Sequence, residues 1–289
     1  MRVVSLLPSA TEIVGDLGLA GFLVGRSEEC DRPAGVAELP VVSAARLDLA
    51  SLGSRAVDDA VRDAVSTGRS LYAVDEELLR SLAPDLVLTQ DLCAVCAVSA
   101  GELCAVDVPT LALDPRTLDD VAESCVVIAE ALGDRSRGEQ LATRMRAELA
   151  QVRNAVDGRA RPRVFVAEWV DPPFAPGHWI PELVELAGGD CVLGTRGEPS
   201  HRVTWDDVRA LGPELVVLAP CGYDAGRAAR EPVPDLDADV VAVDANAFYA
   251  RPTPALAVGA RQLAHLFHPE VVPDPGLPQR WLRSAHTVS

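Results

Sequence analysis

Residues able to do chemistry gather in a few short stretches of this chain. Cys93-x-x-Cys96 has the spacing of a redox pair or of half a metal site, with Cys30 and Cys104 as further thiolates and His178 as a nitrogen ligand. No second C-x-x-C follows it, and small residues buried beneath a cleft would satisfy the same spacing. Glu28, Glu29 and Asp31 could serve as acid–base or cation-binding carboxylates, or form an ordinary solvated loop. The richest stretch runs from Glu168 to Trp179, where Trp169, Phe174, His178 and Trp179 stand among Pro172, Pro173 and Pro176. Two readings fit it: a stacking wall with an imidazole donor, or tryptophans that pack a lobe beside a helix-capping histidine. Tyr223 and the run Phe248-Tyr249-Ala250-Arg251 add rings, and a cation that would pair with a ligand carboxylate or amide, or with an aspartate of the protein. Because aromatic residues make up only 4% of the chain, their concentration in these loops suits a large, flat, partly apolar ligand.

These loops need a scaffold, and the chain describes it twice. Ser81-Leu82-Ala83-Pro84-Asp85-Leu86-Val87-Leu88 returns as Ala210-Leu211-Gly212-Pro213-Glu214-Leu215-Val216-Val217. Each copy ends a helix-like stretch, turns at a proline and enters a strand. Each is followed by a cysteine-bearing loop and a second strand ending in Asp114 or Asp244, read as turn or cap residues. Residues 2–7 predict a buried strand. Ser9 and Glu12 have capping-box spacing, which predicts a helix with Ser9 as its N-cap, ending near Gly18. Further strands are expected at 22–26, 85–90, 108–113, 163–167, 215–219 and 240–243, with helices at 75–83, from Thr204, and over 254–267.

The fold expected is α/β: two Rossmann-like lobes with mostly parallel sheets, bridged by a long rigid helix or two in series, with a ligand cleft between the lobes. The boundaries are an N-terminal lobe over 1–116, a bridging helix over 117–158, a C-terminal lobe over 159–268 and a loosely packed proline-rich tail over 269–289.

The formal net charge of -17 argues against nucleic acid and anionic membrane surfaces. No apolar run reaches the ~20 residues of a membrane span, and no export signal is visible. Read from a native Met1, the protein is expected to be cytoplasmic; its seven cysteines fit a reducing compartment, and their odd count fits no complete disulfide framework. Phosphate-loop, dinucleotide, G-x-S-x-G and H-E-x-x-H motifs are all missing, which leaves nucleotide binding and standard hydrolysis without support.

Arg2 to Glu12, the two Pro-acid-Leu-Val repeats, Asp171-Pro172-Pro173-Phe174 and Ala187-Gly188-Gly189 together resemble the helical-backbone (class III) substrate-binding proteins, in their vitamin B12-binding, BtuF-like branch. Glu29-Cys30-Asp31, Cys93-x-x-Cys96-Ala97-Val98 and Gly177-His178-Trp179-x-Pro181-Glu182 are similar to a signal-less, cobalamin-binding subgroup; Glu28 stands where that subgroup carries histidine, and Ala255 where it carries arginine. The resemblance implies a binding protein rather than an enzyme, holding a corrinoid such as cobalamin, or another tetrapyrrole-sized ligand, between two lobes. Ser9 and the helix after it would offer N–H groups, while Trp169, Trp179 and Tyr249 would stack. Glu29, Phe174, His178, Tyr223 and Arg251 complete the candidate set, and Trp179→Ala is expected to lose cobalamin. The alternative is a cytoplasmic metal-dependent enzyme or metal chaperone, with zinc or iron on Cys30, Cys93 and Cys96. A third reading is a ligand sensor that docks on a protein partner through its acidic surface.

Overall fold

Asp85 and Glu214, the acids of the two repeats, perform one task twice. The Asp85 N–H donates to Arg2 O at 2.8 Å while the Arg2 N–H donates to Asp85 Oδ2 at 2.7 Å. The Glu214 N–H donates to Arg163 O at 2.8 Å while the Arg163 N–H donates to Glu214 Oε2 at 2.9 Å. Each reciprocal pair satisfies backbone groups at a sheet end and sets the register that follows, Val3 opposite Leu86 and Val164 opposite Leu215. The repeat in the sequence is therefore a repeated strand-start lock.

The computed structural model describes residues 1–49, 51–90 and 108–283. The chain divides into two units. The first comprises Met1–Leu52, Asp59–Pro115 and Asp119–Arg144; the second comprises Gly53–Asp58, Arg116–Leu118 and Met145–Ser289.

The first unit carries β1 (Val3–Ser5), α1 (Pro8–Asp16), β2 (Leu23–Ser27), β3 (Val41–Ala45), most of α2 (Ser54–Ser66), β4 (Tyr72–Val74), α3 (Glu76–Ser81), β5 (Leu86–Gln90) and β6 (Thr110–Leu113). Its sheet runs β4-β3-β2-β1-β5-β6, parallel throughout except for antiparallel β4. Strands buried on both faces explain the near-continuous Val/Leu runs. One core cluster joins Ile13 and Val14 of α1 to Val3 and Leu88, and takes in Cys125, Ile128 and Leu132. Another gathers Val4, Leu6, Val42, Leu79 and Val87.

One expectation needs correction here. Ser9 is not an N-cap: α1 begins at Pro8, whose fixed φ and missing N–H suit the first helical position. Leu7 is the extended cap residue (φ -133°, ψ 117°), and no side chain caps this helix. Of the two forms expected for the stretch over 117–158, the structure takes two helices in series, α4 (Leu118–Ala131) and α5 (Arg135–Ala155). Gly133 takes φ +86° at the break, a conformation that costs glycine little.

The second unit holds β7 (Arg163–Ala167), β8 (Trp169–Val170), β9 (Pro173–Ala175), α6 (Ile180–Leu186), β10 (Asp190–Cys191), β11 (His201–Arg202), α7 (Trp205–Leu211), β12 (Leu215–Leu218), α8 (Ala225–Ala228), β13 (Asp239–Val243), α9 (Ala245–Phe248), α10 (Leu256–Phe267) and β14 (Gln279–Arg283). Its main sheet runs β10-β7-β12-β13-β14, with only β14 antiparallel, and β11-β9-β8 form a small antiparallel sheet beside it. Asp244 caps α9 by accepting from Ala247 N at 3.0 Å, the cap role expected for it. The proline-rich tail is better ordered than expected: β14 pairs with β13 from Val240 to Val243.

Thr204 caps α7 in a full capping box with Asp207, as its position before Trp205 implies. Thr204→Ala should lower stability by about 1 kcal/mol, the usual cost of a lost N-cap, readable as a fall in the urea midpoint at unchanged slope. Among the described residues no helix is long and apolar enough to cross a membrane.

Candidate functional site

In the second unit the candidate residues collect where the parallel strands end. β7 runs directly into Glu168 and Trp169, and β12 into Pro220-Cys221-Gly222-Tyr223. The Cys221 N–H donates to Glu168 O at 3.2 Å, and the Asn246 N–H donates to Tyr223 O at 3.1 Å, so the loops after β7, β12 and β13 are stitched side by side. Trp169 and Tyr223 meet edge to face, with centroids 5.3 Å apart. The Arg227 guanidinium lies 3.8 Å from the Tyr223 ring centre, a cation–π contact. Phe174, half-buried on β9, has the Arg202 guanidinium 5.6 Å from its ring. Two half-buried rings, Trp169 and Phe174, therefore stand on one strand pair, with cations at hand.

Trp179 and Tyr249 are not part of that surface. Trp179 is only 5% exposed, and its indole N–H donates to Tyr249 O at 2.8 Å. Tyr249 is 2% exposed, and its hydroxyl bonds Gly259 O at 3.1 Å and Gln262 Oε1 at 2.8 Å. Both rings lie in the core with their polar atoms satisfied and have no face left for stacking. Arg251 is also buried, with its carbonyl accepting from Thr253 N. His178 is half-buried and takes a left-handed backbone (φ 50°). That turn is fixed by two main-chain bonds, His178 N to Glu198 O at 2.7 Å and Gly197 N to His178 O at 2.9 Å.

Glu168 escaped the sequence reading. Its Oε1 accepts from Gly177 N at 2.9 Å, and the Ser200 hydroxyl bonds the same carboxyl. Burial outweighs these bonds and pushes the carboxyl up to about 7. An acid placed directly after the buried run Arg163–Ala167 was the available signal. The nearby Cys191 thiol is pushed up to about 12, mainly by burial and then by Glu185, Glu168 and Asp190, so it stays protonated and unreactive. Because the folded value of Glu168 exceeds the unfolded one, ~4.3, this carboxyl contributes stability that is complete below about pH 4 and is lost as pH rises through about 7. Glu168→Gln should flatten that slope, so that urea midpoints at about pH 5 and about pH 8 differ less than in the wild type.

The first unit presents a different edge. Ser5, Ser27, Ser43, Thr89 and Gln90 are all buried at or near the carboxyl ends of β1, β2, β3 and β5. Ser9 Oγ and Ser43 Oγ are buried with no hydrogen-bond partner among the described residues. Glu29 is exposed, with its N–H donating to Ser27 Oγ at 3.3 Å. Cys30 is 1% exposed within a core cluster, its Sγ 3.0 Å from Thr11 Oγ1. Cys30 is thus placed in the core of the first unit, beside a hydroxyl. Cys93 and Cys96, the other proposed ligands, lie outside the described residues, as does Cys104. Among the described residues no group of three His, Cys, Asp or Glu side chains could hold a metal ion.

Comparison with known proteins agrees with this architecture. The family described as periplasmic binding protein matches residues 3–242. A vitamin B12-binding protein of Yersinia pestis (strain Pestoides F) is 23% identical over 271 residues, covering 91% of this chain and 84% of its own length. Among solved structures, the periplasmic vitamin B12-binding protein BtuF of Vibrio cholerae superposes with TM-score 0.67 at 22% identity, over 91% of this chain and 94% of that one. A periplasmic heme-binding protein from Pseudomonas aeruginosa superposes with TM-score 0.72 at 17% identity, over 98% and 99%.

Proposed function

Since the chain belongs to the periplasmic binding protein family, we propose that it binds a corrinoid of the cobalamin type at the carboxyl ends of its parallel strands, as the ligand-capturing partner of an ABC-type transporter. The observation that carries this reading is the near full-length likeness to proteins named for vitamin B12. The chemistry of the strand ends supports it. A corrin is a broad, partly apolar disc whose rim carries neutral carboxamides. Trp169 and Phe174 offer rings to the disc.

The test is a parallel titration with cyanocobalamin, haemin and a ferric hydroxamate. Cyanocobalamin should bind most tightly, and Trp169→Ala should weaken it about tenfold or more, the scale of one lost ring contact in a desolvated site. Preference for haemin or for the hydroxamate would overturn the corrinoid assignment while leaving the family fold intact.

A further inference from the structure

Polar groups of Trp169, Asp171 and Arg202 are all bonded to one short piece of chain, Gly53–Asp58. The Trp169 indole N–H donates to Ser54 O at 3.1 Å. The Ser54 N–H and hydroxyl both donate to Glu231 Oε2, at 3.2 and 2.5 Å. Arg55 forms an ion pair with Asp171, in the turn between β8 and β9. Asp58 accepts two bonds from Arg202, at 2.8 and 2.9 Å, and Arg202 is the cation beside Phe174. Partners 115, 177, 116 and 144 residues away in sequence thus converge on one segment. Local preference cannot explain that.

The anchor has its own logic. Glu231 and Ser54 are both buried, at 9% and 1% exposure. A buried carboxylate needs compensation, and here it finds the amino end of α2, where N–H groups and the helix dipole favour an anion. The protein's own carboxylate occupies that helix end. The outer ion pairs, whose arginines are 59% and 43% exposed, are individually weak. Glu231 therefore sets how firmly the segment is held.

We propose that Gly53–Asp58 is a built-in strap, held by these polar contacts beside the aromatic surface at the end of β7, that a flat ligand stacking on Trp169 displaces. The identity of that ligand rests on the corrinoid reading; the strap itself does not. Glu231 acts as a positioning residue, and a weaker anchor makes displacement easier.

Hydrogen exchange at the amides of residues 54–58, measured on the full chain, tests this. Glu231→Gln and Ser54→Ala should each speed exchange there about tenfold, the effect of losing one charge-assisted hydrogen bond, and should tighten cyanocobalamin binding by a similar factor. Arg202→Ala loosens the far end without touching the buried pair, so it reports even if Glu231→Gln misfolds. Cyanocobalamin added to the wild type should speed exchange at the same amides. Unchanged exchange in all three variants, or slower exchange on adding cyanocobalamin, overturns the strap. Faster exchange in the variants with no cyanocobalamin bound upholds the strap and refutes the corrinoid reading instead.

Discussion

Trp179→Ala is expected to lower unfolding stability by about 3–5 kcal/mol, seen as a large fall in the urea midpoint. The truncation leaves a cavity where an indole only 5% exposed stood. It also removes the donor that satisfies Tyr249 O at 2.8 Å, leaving a buried carbonyl unpaired. The expected phenotype is thus a destabilised protein, and any loss of ligand should follow the loss of fold. If the variant kept its midpoint and lost only its ligand, Trp179 would be a binding residue after all, and its core placement would be wrong.

The second large effect is expected at Gly177. A Cβ there would stand 2.1 Å from Ser200 N, 2.6 Å from Pro199 C and 2.7 Å from Glu198 O, and all three are backbone atoms that cannot rotate aside. Gly177→Ala must therefore push the 176–179 turn away from residues 198–200. That movement strains the His178 N to Glu198 O bond and the Gly177 N to Glu168 bond together. The cost should be about 3 kcal/mol, the upper end for overpacking. A second readout separates this from simple crowding. The Gly177 N–H holds the Glu168 carboxyl down, so losing it should push that carboxyl further up, and the stability loss between about pH 5 and about pH 8 should grow in the variant. A normal midpoint with an unaltered pH slope would contradict the close approach.

Much of the scaffold was legible because its signals are local. The strands at 163–167, 215–219 and 240–243 are short, mostly apolar runs rich in valine, and the structure forms them within a residue of expectation. Thr204 before Trp205-Asp206-Asp207 read correctly as a helix start because a capping box needs only neighbours. The same rule misled at Ser9, where the S-x-x-E spacing is present but Pro8 takes the first helical position and moves the cap to Leu7. β3, β4 and α2 were missed. The two strands are short, and the helix carries alternating charges over a modest apolar stripe.

The candidate site was less legible, for a physical reason. Residue type places an aromatic in a loop but does not tell which side faces the core. Trp169 and Trp179 look equivalent in the sequence, yet one is half-exposed on β8 and the other is buried against Tyr249. Glu231 and Ser54, 177 residues apart, carry no mutual signal at all, because only the folded sheet brings them together.

The most direct measurement is an equilibrium titration of the purified protein with cyanocobalamin, followed by heat and by the visible corrin spectrum. The account predicts equimolar binding at micromolar affinity or tighter, weakened by Trp169→Ala and strengthened by Ser54→Ala. No heat, no spectral change and no protection against urea at saturating cyanocobalamin would contradict it.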